Sequence, residues 1–200
     1  MDLKDTLGIF PGTLSRSFCN ELIDIFEKNK KYHYQGITAS GYDPGFKDTI
    51  DFNLLDNPEL DEYSQYITKM SNEKISEYIQ RFKTNEEFNT ADYLFNKGTY
   101  YPVWQLQKYK KSEGHFKAYH TEGEYWEFHN RIFAVMFYLN DVEVGGETEF
   151  LHLDMMVKPT QGTFLVWPAP WPYVHRGHVP VSNDKYILTT WLNRNEEFGE

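Results

Sequence analysis

The chain has 200 residues, of which 40% are hydrophobic and 18% aromatic, enough to pack one domain, alone or with an appended helical subdomain, and too much for a disordered chain. The formal net charge is -10, which argues against a nucleic-acid surface because phosphate binding needs a positive field. Small anions stay open, since they need only one local cation. The single cysteine, Cys19, has no partner for an internal disulfide and suits a reducing compartment. Met1 to Phe10 carries acidic residues and no apolar run of signal-peptide length, and the longest apolar run, Ile132 to Leu139, is too short to span a bilayer. A cytoplasmic protein without a membrane partner is expected.

In chain order, the first half reads as helix. Phe18, Leu22, Ile25 and Phe26 recur at helical spacing within residues 15–29. Asn57 followed by Pro58 marks a cap and a first-turn proline. Leu60, Tyr63, Ile67 and Met70 then form one apolar stripe, which Ile75, Ile79 and Phe82 continue, with a break expected near Asn72. Between these helices, Gly41 to Asp48 is a connection holding Tyr42, Phe46 and Lys47, either an ordinary surface loop or a lid. From about Val103 the pattern changes to short β-rich runs separated by Gly, Pro and Asn. Strands are expected at Val103–Gln107, Phe116–Glu122, Ile132–Leu139, Thr148–Leu153, Thr163–Trp167 and Lys185–Leu192. Several short strands without intervening helices indicate a sandwich or barrel. Gly145-Gly146 reads as a turn, not a phosphate loop, because no Lys-Ser/Thr follows. Lys108, Lys110 and Lys111 read as a solvated face.

Three groups could carry chemistry. In His120-Thr121-Glu122, alternate side chains of an extended strand point the same way, so His120 and Glu122 could reach one metal ion. A third ligand would come from His129, His152, His175 or His178. Two imidazoles and one carboxylate on one side of an ion make the facial set of non-haem iron(II) oxygenases, which leaves coordination positions open for cosubstrate and dioxygen. On the last strand Lys185, Ile187, Thr189 and Trp191 share a face by parity. A lysine among apolar neighbours needs an anionic partner, and the carboxylate of a small diacid would serve; an exposed lysine at a strand start is the plain alternative. No serine sits in a nucleophile-elbow motif.

Taken together, His120-Thr121-Glu122, Arg131, the run Phe137 to Phe150 (FYLNDVEVGGETEF), Val157 to Pro168 (VKPTQGTFLVWP), His175 to Val181 (HRGHVPV) and Lys185 to Trp191 (KYILTTW) resemble the prolyl 4-hydroxylase-type 2-oxoglutarate and Fe(II)-dependent dioxygenases, and within them the small phage- and microbe-type members. The resemblance spans about residues 101–192. It implies a mainly β fold, a double-stranded β-helix (jelly-roll, cupin-like) core over residues 101–200, packed on an N-terminal helical support over residues 1–100 as one compact domain. It assigns His120, Glu122 and His175 as the Fe(II) ligands and ranks His178 below His175. It places the far carboxylate of 2-oxoglutarate on Lys185, with Thr189 and Trp191 lining the pocket and the hydroxyls of Tyr138 and Tyr109 in contact with the cosubstrate. The usual carboxylate ligand of the family is aspartate. Glu122 is one methylene longer, so the ion must shift or the side chain must fold, and Glu124 is the fallback ligand.

The activity implied is hydroxylation of an unactivated C–H bond with dioxygen, yielding succinate and carbon dioxide from 2-oxoglutarate, with ascorbate as a candidate auxiliary reductant. The implied partner is a prolyl residue in a peptide or protein. The stretch Trp167-Pro168-Ala169-Pro170-Trp171-Pro172-Tyr173 could line a peptide groove or merely pack its own rings, and Arg176 could meet a substrate carboxylate or a neighbouring acid. The same chemistry on a free amino acid or other small molecule, a hydrolase or zinc protein on the same scaffold, and a non-catalytic jelly-roll binding module are the alternatives. Lys185 argues against the hydrolase, which needs no diacid anchor.

Overall fold

The computed structural model describes residues 2–82, 95, 98–123 and 126–195. Thirteen strands lie among them in chain order: β1 (Gly8–Phe10), β2 (Tyr34–Gln35), β3 (Lys47–Asp48), β4 (Ile50–Asn53), β5 (Thr99–Tyr100), β6 (Gln105–Tyr109), β7 (His115–His120), β8 (Arg131–Tyr138), β9 (Thr148–Phe150), β10 (Met155–Val157), β11 (Phe164–Pro168), β12 (His175–Gly177) and β13 (Lys185–Arg194). They form two antiparallel sheets. The larger runs β1-β11-β8-β13-β6-β4-β2, with β5 on the end of β13, and the smaller runs β10-β9-β12-β7-β3. This is the expected jelly-roll architecture: mainly β, two sheets face to face, with helices on one side.

Strands from the first hundred residues extend both sheets. β1 pairs with β11, β4 with β6, and β3 with β7. Short pieces such as Gly8–Phe10 and Lys47–Asp48 are too brief to show a two-residue alternation, so only their partners reveal them. His175–Gly177 and Met155–Val157 escaped the sequence analysis for the same reason.

Helix α1 (Arg16–Lys28) is capped by the Ser15 side chain, which accepts from the Phe18 backbone amide, and buries Cys19, Leu22 and Phe26. Asn57 caps a short 3-10 turn at Pro58–Leu60, and helix α2 (Asp61–Gln80) follows with Ile67, Ser71, Ile75, Tyr78 and Ile79 buried. The break expected near Asn72 is absent. Neither Gly nor Pro interrupts the segment, and the Asn72 side chain accepts a 2.6 Å hydrogen bond from the Tyr101 hydroxyl instead of competing for its own backbone.

The strand β8 is buried from Phe133 through Tyr138 because both of its faces are covered. Phe133, Val135 and Phe137 pack toward the helices, with Phe26, Ile75 and Tyr78 in the same cluster. Ala134, Met136 and Tyr138 face the other way, with Phe150, Trp167 and Ile187. Phe137 has no exposure, so Phe137→Ala should cost about 3–5 kcal/mol through lost burial and the cavity left behind. Neighbouring β13 pairs with both β8 and β6; it is the strand on which the two clusters and the site depend.

Between β8 and β9, Gly145 and Gly146 both take positive φ, at 75° and 76°. A Cβ on Gly145 would also stand 2.4 Å from the Val179 carbonyl oxygen, so the turn requires glycine there.

Candidate metal and diacid site

A cavity of about 810 Å³ opens between the two sheets, and its lining includes His120, Glu122, His175, Arg131, Lys185, Thr189 and Trp191. All four residues assigned by parity to one face of β13 (Lys185, Ile187, Thr189 and Trp191) line it. The alternation of an extended strand on a sandwich sheet is the cause.

His120 and His175 are register partners across β7 and β12. Each ring is oriented by a backbone carbonyl: His120 Nδ1 lies 2.9 Å from Ala118 O, and His175 Nδ1 lies 2.9 Å from Tyr173 O. A carbonyl only accepts, so Nδ1 carries the proton in both rings and the Nε2 lone pairs are free for a ligand or ion. Both Nε2 atoms face Glu122 Oε1, at 3.7 Å from His120 and 3.3 Å from His175. Strand β7 ends at His120, not at Glu122, but the Glu122 amide donates 2.9 Å to Ala169 O, which holds the residue beside the histidines. Ligand atoms of His120, Glu122 and His175 lie within 4.8 Å of one another, the one such grouping of three among the described residues.

The electrostatics suit a cation. Burial alone would raise the Glu122 carboxyl, but positive charge on the two imidazoles beside it outweighs burial and holds it well below the ordinary carboxylate range, and a cation bound at their Nε2 atoms would act in the same direction. Burial, and then the neighbouring His120, push His175 down from its ordinary value, which favours the neutral, metal-binding form.

Lys185 is 1% exposed. Its ammonium donates 2.8 Å to Gly146 O and lies 4.6 Å from the Tyr109 ring centre and 5.6 Å from that of Tyr138. Burial pushes it down to about 7, against the opposing pull of Glu147. With one N–H given to Gly146 O, two N–H donors remain for an incoming acceptor. The solvent-exposed lysine weighed from sequence is therefore corrected: β13 sits at the centre of the sheet, and its first residue lies inside.

The other expected residues fall in varied places. Thr189 lines the cavity and donates 3.0 Å to Val135 O. Tyr109 lines it too, with its hydroxyl donating 3.1 Å to Gln107 Oε1. Tyr138 stands behind the wall: its hydroxyl donates to Thr148 Oγ1 at 2.7 Å or to Val157 O at 3.1 Å, and Thr148 is the one of these that reaches the cavity. His178 Nε2 lies 2.6 Å from Glu149 Oε2, away from the triad. His129 and His152 lie on the surface. Glu124 lies outside the described residues. Arg176 meets a neighbouring acid, donating 2.7 Å from Nε to Glu149 Oε2. In the proline-rich stretch Trp167, Ala169 and Tyr173 are buried, while Trp171 is 73% exposed. Tyr42 and Phe46 are exposed and border the cavity, but Lys47 is buried and paired with Asp51 at 2.8 Å. Lys108 is not a freely solvated cation either, since it bridges Glu27 at 2.7 Å and Asp184 at 3.2 Å.

Trp191, expected from the sequence to line the pocket, and Arg131, which had no role assigned, both meet Glu122. Trp191 Nε1 donates 2.8 Å to Glu122 Oε2. Arg131 Nη1 donates 3.0 Å to Glu122 O and approaches Oε2 at 3.4 Å. Strand parity marked Trp191 as cavity-facing, but its donor and acceptor could not be paired without coordinates.

A jelly-roll that brings two imidazoles, a carboxylate and a buried ammonium into one cavity is suited to hold a metal ion with an anion beside it. Residues 104–193 of the chain match the family model of the 2OG-Fe(II) oxygenase superfamily. Its similarity there runs to prolyl 4-hydroxylases. Human prolyl 4-hydroxylase subunit alpha-1 is 25% identical over 185 residues, which is 88% of this chain and 33% of that protein; the chain thus spans about a third of the length of the curated relatives it matches. Among solved structures, the viral collagen prolyl hydroxylase of Paramecium Bursaria Chlorella virus-1, in its 2OG complex, aligns with a TM-score of 0.61 at 19% identity, covering 96% of this chain and 97% of that one. A Trichoplax adhaerens prolyl hydroxylase, in complex with a hypoxia inducible factor oxygen degradation domain peptide fragment, aligns with a TM-score of 0.71 at 15% identity, covering 95% and 84%. The cofactors that go with the superfamily are Fe(II) and 2-oxoglutarate, with dioxygen as co-reactant, and the two-histidine, one-carboxylate donor set fits that ion. Among the described residues no helix is long and apolar enough to cross a membrane.

Proposed function

We propose that the chain is a 2-oxoglutarate- and Fe(II)-dependent dioxygenase that hydroxylates an unactivated C–H bond of a prolyl residue in a peptide or protein. The observation that carries this reading is the placement of His120, Glu122 and His175 in the same cavity as the buried Lys185. A zinc hydrolase would use the first three and have no need of the fourth. The prolyl part rests on similarity to relatives that are prolyl hydroxylases by name, one of them solved with a peptide.

In this mechanism His120, Glu122 and His175 hold the metal, and Lys185 takes the far carboxylate of 2-oxoglutarate in a charge-assisted hydrogen bond. Bound there, Fe(II) and 2-oxoglutarate supply the oxidising chemistry, consuming dioxygen and releasing succinate and carbon dioxide. The chain contributes position and dryness. The two backbone carbonyls keep the imidazoles aimed, and Lys185 takes a proton when the carboxylate arrives. Ile187, Met136 and Trp167 give the cavity an apolar lining that excludes bulk water. Tyr109 must release Gln107 if its hydroxyl is to donate to the cosubstrate, because its one proton is already committed there.

The test is succinate formation from 2-oxoglutarate with Fe(II) and ascorbate, followed by mass spectrometry of a library of proline-containing peptides. Succinate together with a gain of one oxygen atom on proline is expected. No succinate would remove the oxygenase assignment, and succinate with hydroxylation only of free amino acids would move the substrate to a small molecule.

A further inference from the structure

The carboxylate of Glu122 has two oxygens in two different environments. Oε1 faces the imidazoles of His120 and His175. Oε2 accepts the indole N–H of Trp191 at 2.8 Å and lies 3.4 Å from Arg131 Nη1. Arg131 is itself held in place: its guanidinium stacks 3.7 Å from the Trp191 ring centre and 3.8 Å from that of Phe128, and Nη1 also donates to the Glu122 backbone carbonyl. The side chains of Arg131 and Glu122 are only 11% and 16% exposed, so little water competes for these bonds. Burial lowers the guanidinium to about 10, against the pull of Glu122.

We propose that Trp191 and Arg131 are positioning residues that hold Glu122 as a one-oxygen ligand, and that this clamp is how the site accommodates a glutamate. Resting on the metal-site reading above, the argument is one of reach and of free positions. A glutamate is longer and has one more rotatable bond than an aspartate, so it can swing or offer both oxygens to an ion. An ion gripped by both oxygens has one fewer open position, and the oxygenase needs three, two for the 2-oxo acid and one for dioxygen. With Oε2 occupied by the indole and approached by the guanidinium, only Oε1 is offered. Partners of this kind, which orient a ligand without touching the metal, commonly affect metal affinity by about 10–100-fold.

The test uses Co(II) as probe, read by affinity and by its visible absorption bands in the cosubstrate-free protein. Trp191→Phe keeps a ring for Arg131 to stack on and removes the N–H. It should bind Co(II) about ten-fold more weakly and shift the bands, because the freed carboxylate changes the coordination number. Arg131→Gln should move both readouts the same way and serves as the second variant if Trp191→Phe does not fold. A purely structural role for these residues would lower stability and leave the bands in place. If both variants bind Co(II) as the unaltered protein does, with the same bands, the clamp is overturned while the triad stands. If Glu122→Ala also binds Co(II) unchanged, the metal-site reading itself fails.

Discussion

His120 and His175 stand directly opposite each other across β7 and β12, with ring centres 4.3 Å apart. The pairing brings together two residues separated by most of the β-rich half of the chain. Because each Nδ1 is taken by a carbonyl, strand register alone aims both Nε2 atoms at one point.

The choice of distal histidine follows. His175→Ala should lose stoichiometric metal, whereas His178→Ala should retain it, because His178 is turned to Glu149. Metal content after Fe(II) or Co(II) loading and desalting checks this. Retention by His175→Ala with loss by His178→Ala would reverse the assignment.

Lys185→Ala should weaken 2-oxoglutarate binding by roughly 10–100-fold, the range implied by losing a charged hydrogen bond of about 1.5–3 kcal/mol, and leave Co(II) affinity within about two-fold. The same lysine gives a pH dependence. Its free-protein value of about 7 lies below the ordinary lysine value, so above pH 7 the amine is mostly neutral and must take up a proton when the dicarboxylate binds. Affinity should therefore fall as pH rises through 7 and upward, and change little from this group below it. Calorimetry in buffers of different ionisation enthalpy would count the proton; no uptake at pH 8 would show that Lys185 is not the anchor.

Glu149 on β9 fastens the strands that carry the histidines. It accepts from Tyr119, the neighbour of His120, at 2.6 Å, and from Arg176, the neighbour of His175, at 2.7 Å. Hydrogen bonding from Tyr119 is the largest lowering cause, ahead of His178 and Arg176, and holds the carboxyl at about 2. A carboxyl depressed in the fold stabilises it above the unfolded value and loses that contribution as pH falls toward the folded one. Glu149→Gln should lower the melting temperature at pH 7 by roughly 2–4 °C, the shift that about 1 kcal/mol produces in a domain of this size. The difference from the unaltered protein should close between pH about 4.5 and about 2. A constant difference across that window in thermal melts would mean that packing, not charge, is responsible.

Lys47 and Asp51 are 4% and 0% exposed and meet at 2.8 Å, and Asp51 Oδ2 also accepts from Gln105 at 3.0 Å. Lys47→Met should cost about 3–5 kcal/mol, because it strands a buried carboxylate without its counter-charge. Lys47→Met with Asp51→Leu should recover much of that loss. Urea unfolding measures both; a double variant no more stable than Lys47→Met would argue against the stranded-charge explanation.

The sequence by itself determined the periodicities and hence the class. Two-residue alternation over Phe116–Glu122 and Lys185–Leu192 marked which side chains share a face, helical spacing marked α1 and α2, and His120-Thr121-Glu122 marked one half of a metal set. It could not choose the third ligand without a family resemblance, since four downstream histidines were open and spacing along the chain says nothing about distance across a sheet. Only the tertiary structure decided that Lys185 is buried, that Tyr138 turns behind Thr148, and that Glu122 divides its oxygens between the histidines and Trp191. Each of these depends on which strand lies beside which. Register is a long-range property, set by the summed packing of both faces of β8 and β13, and no local window of residues contains it.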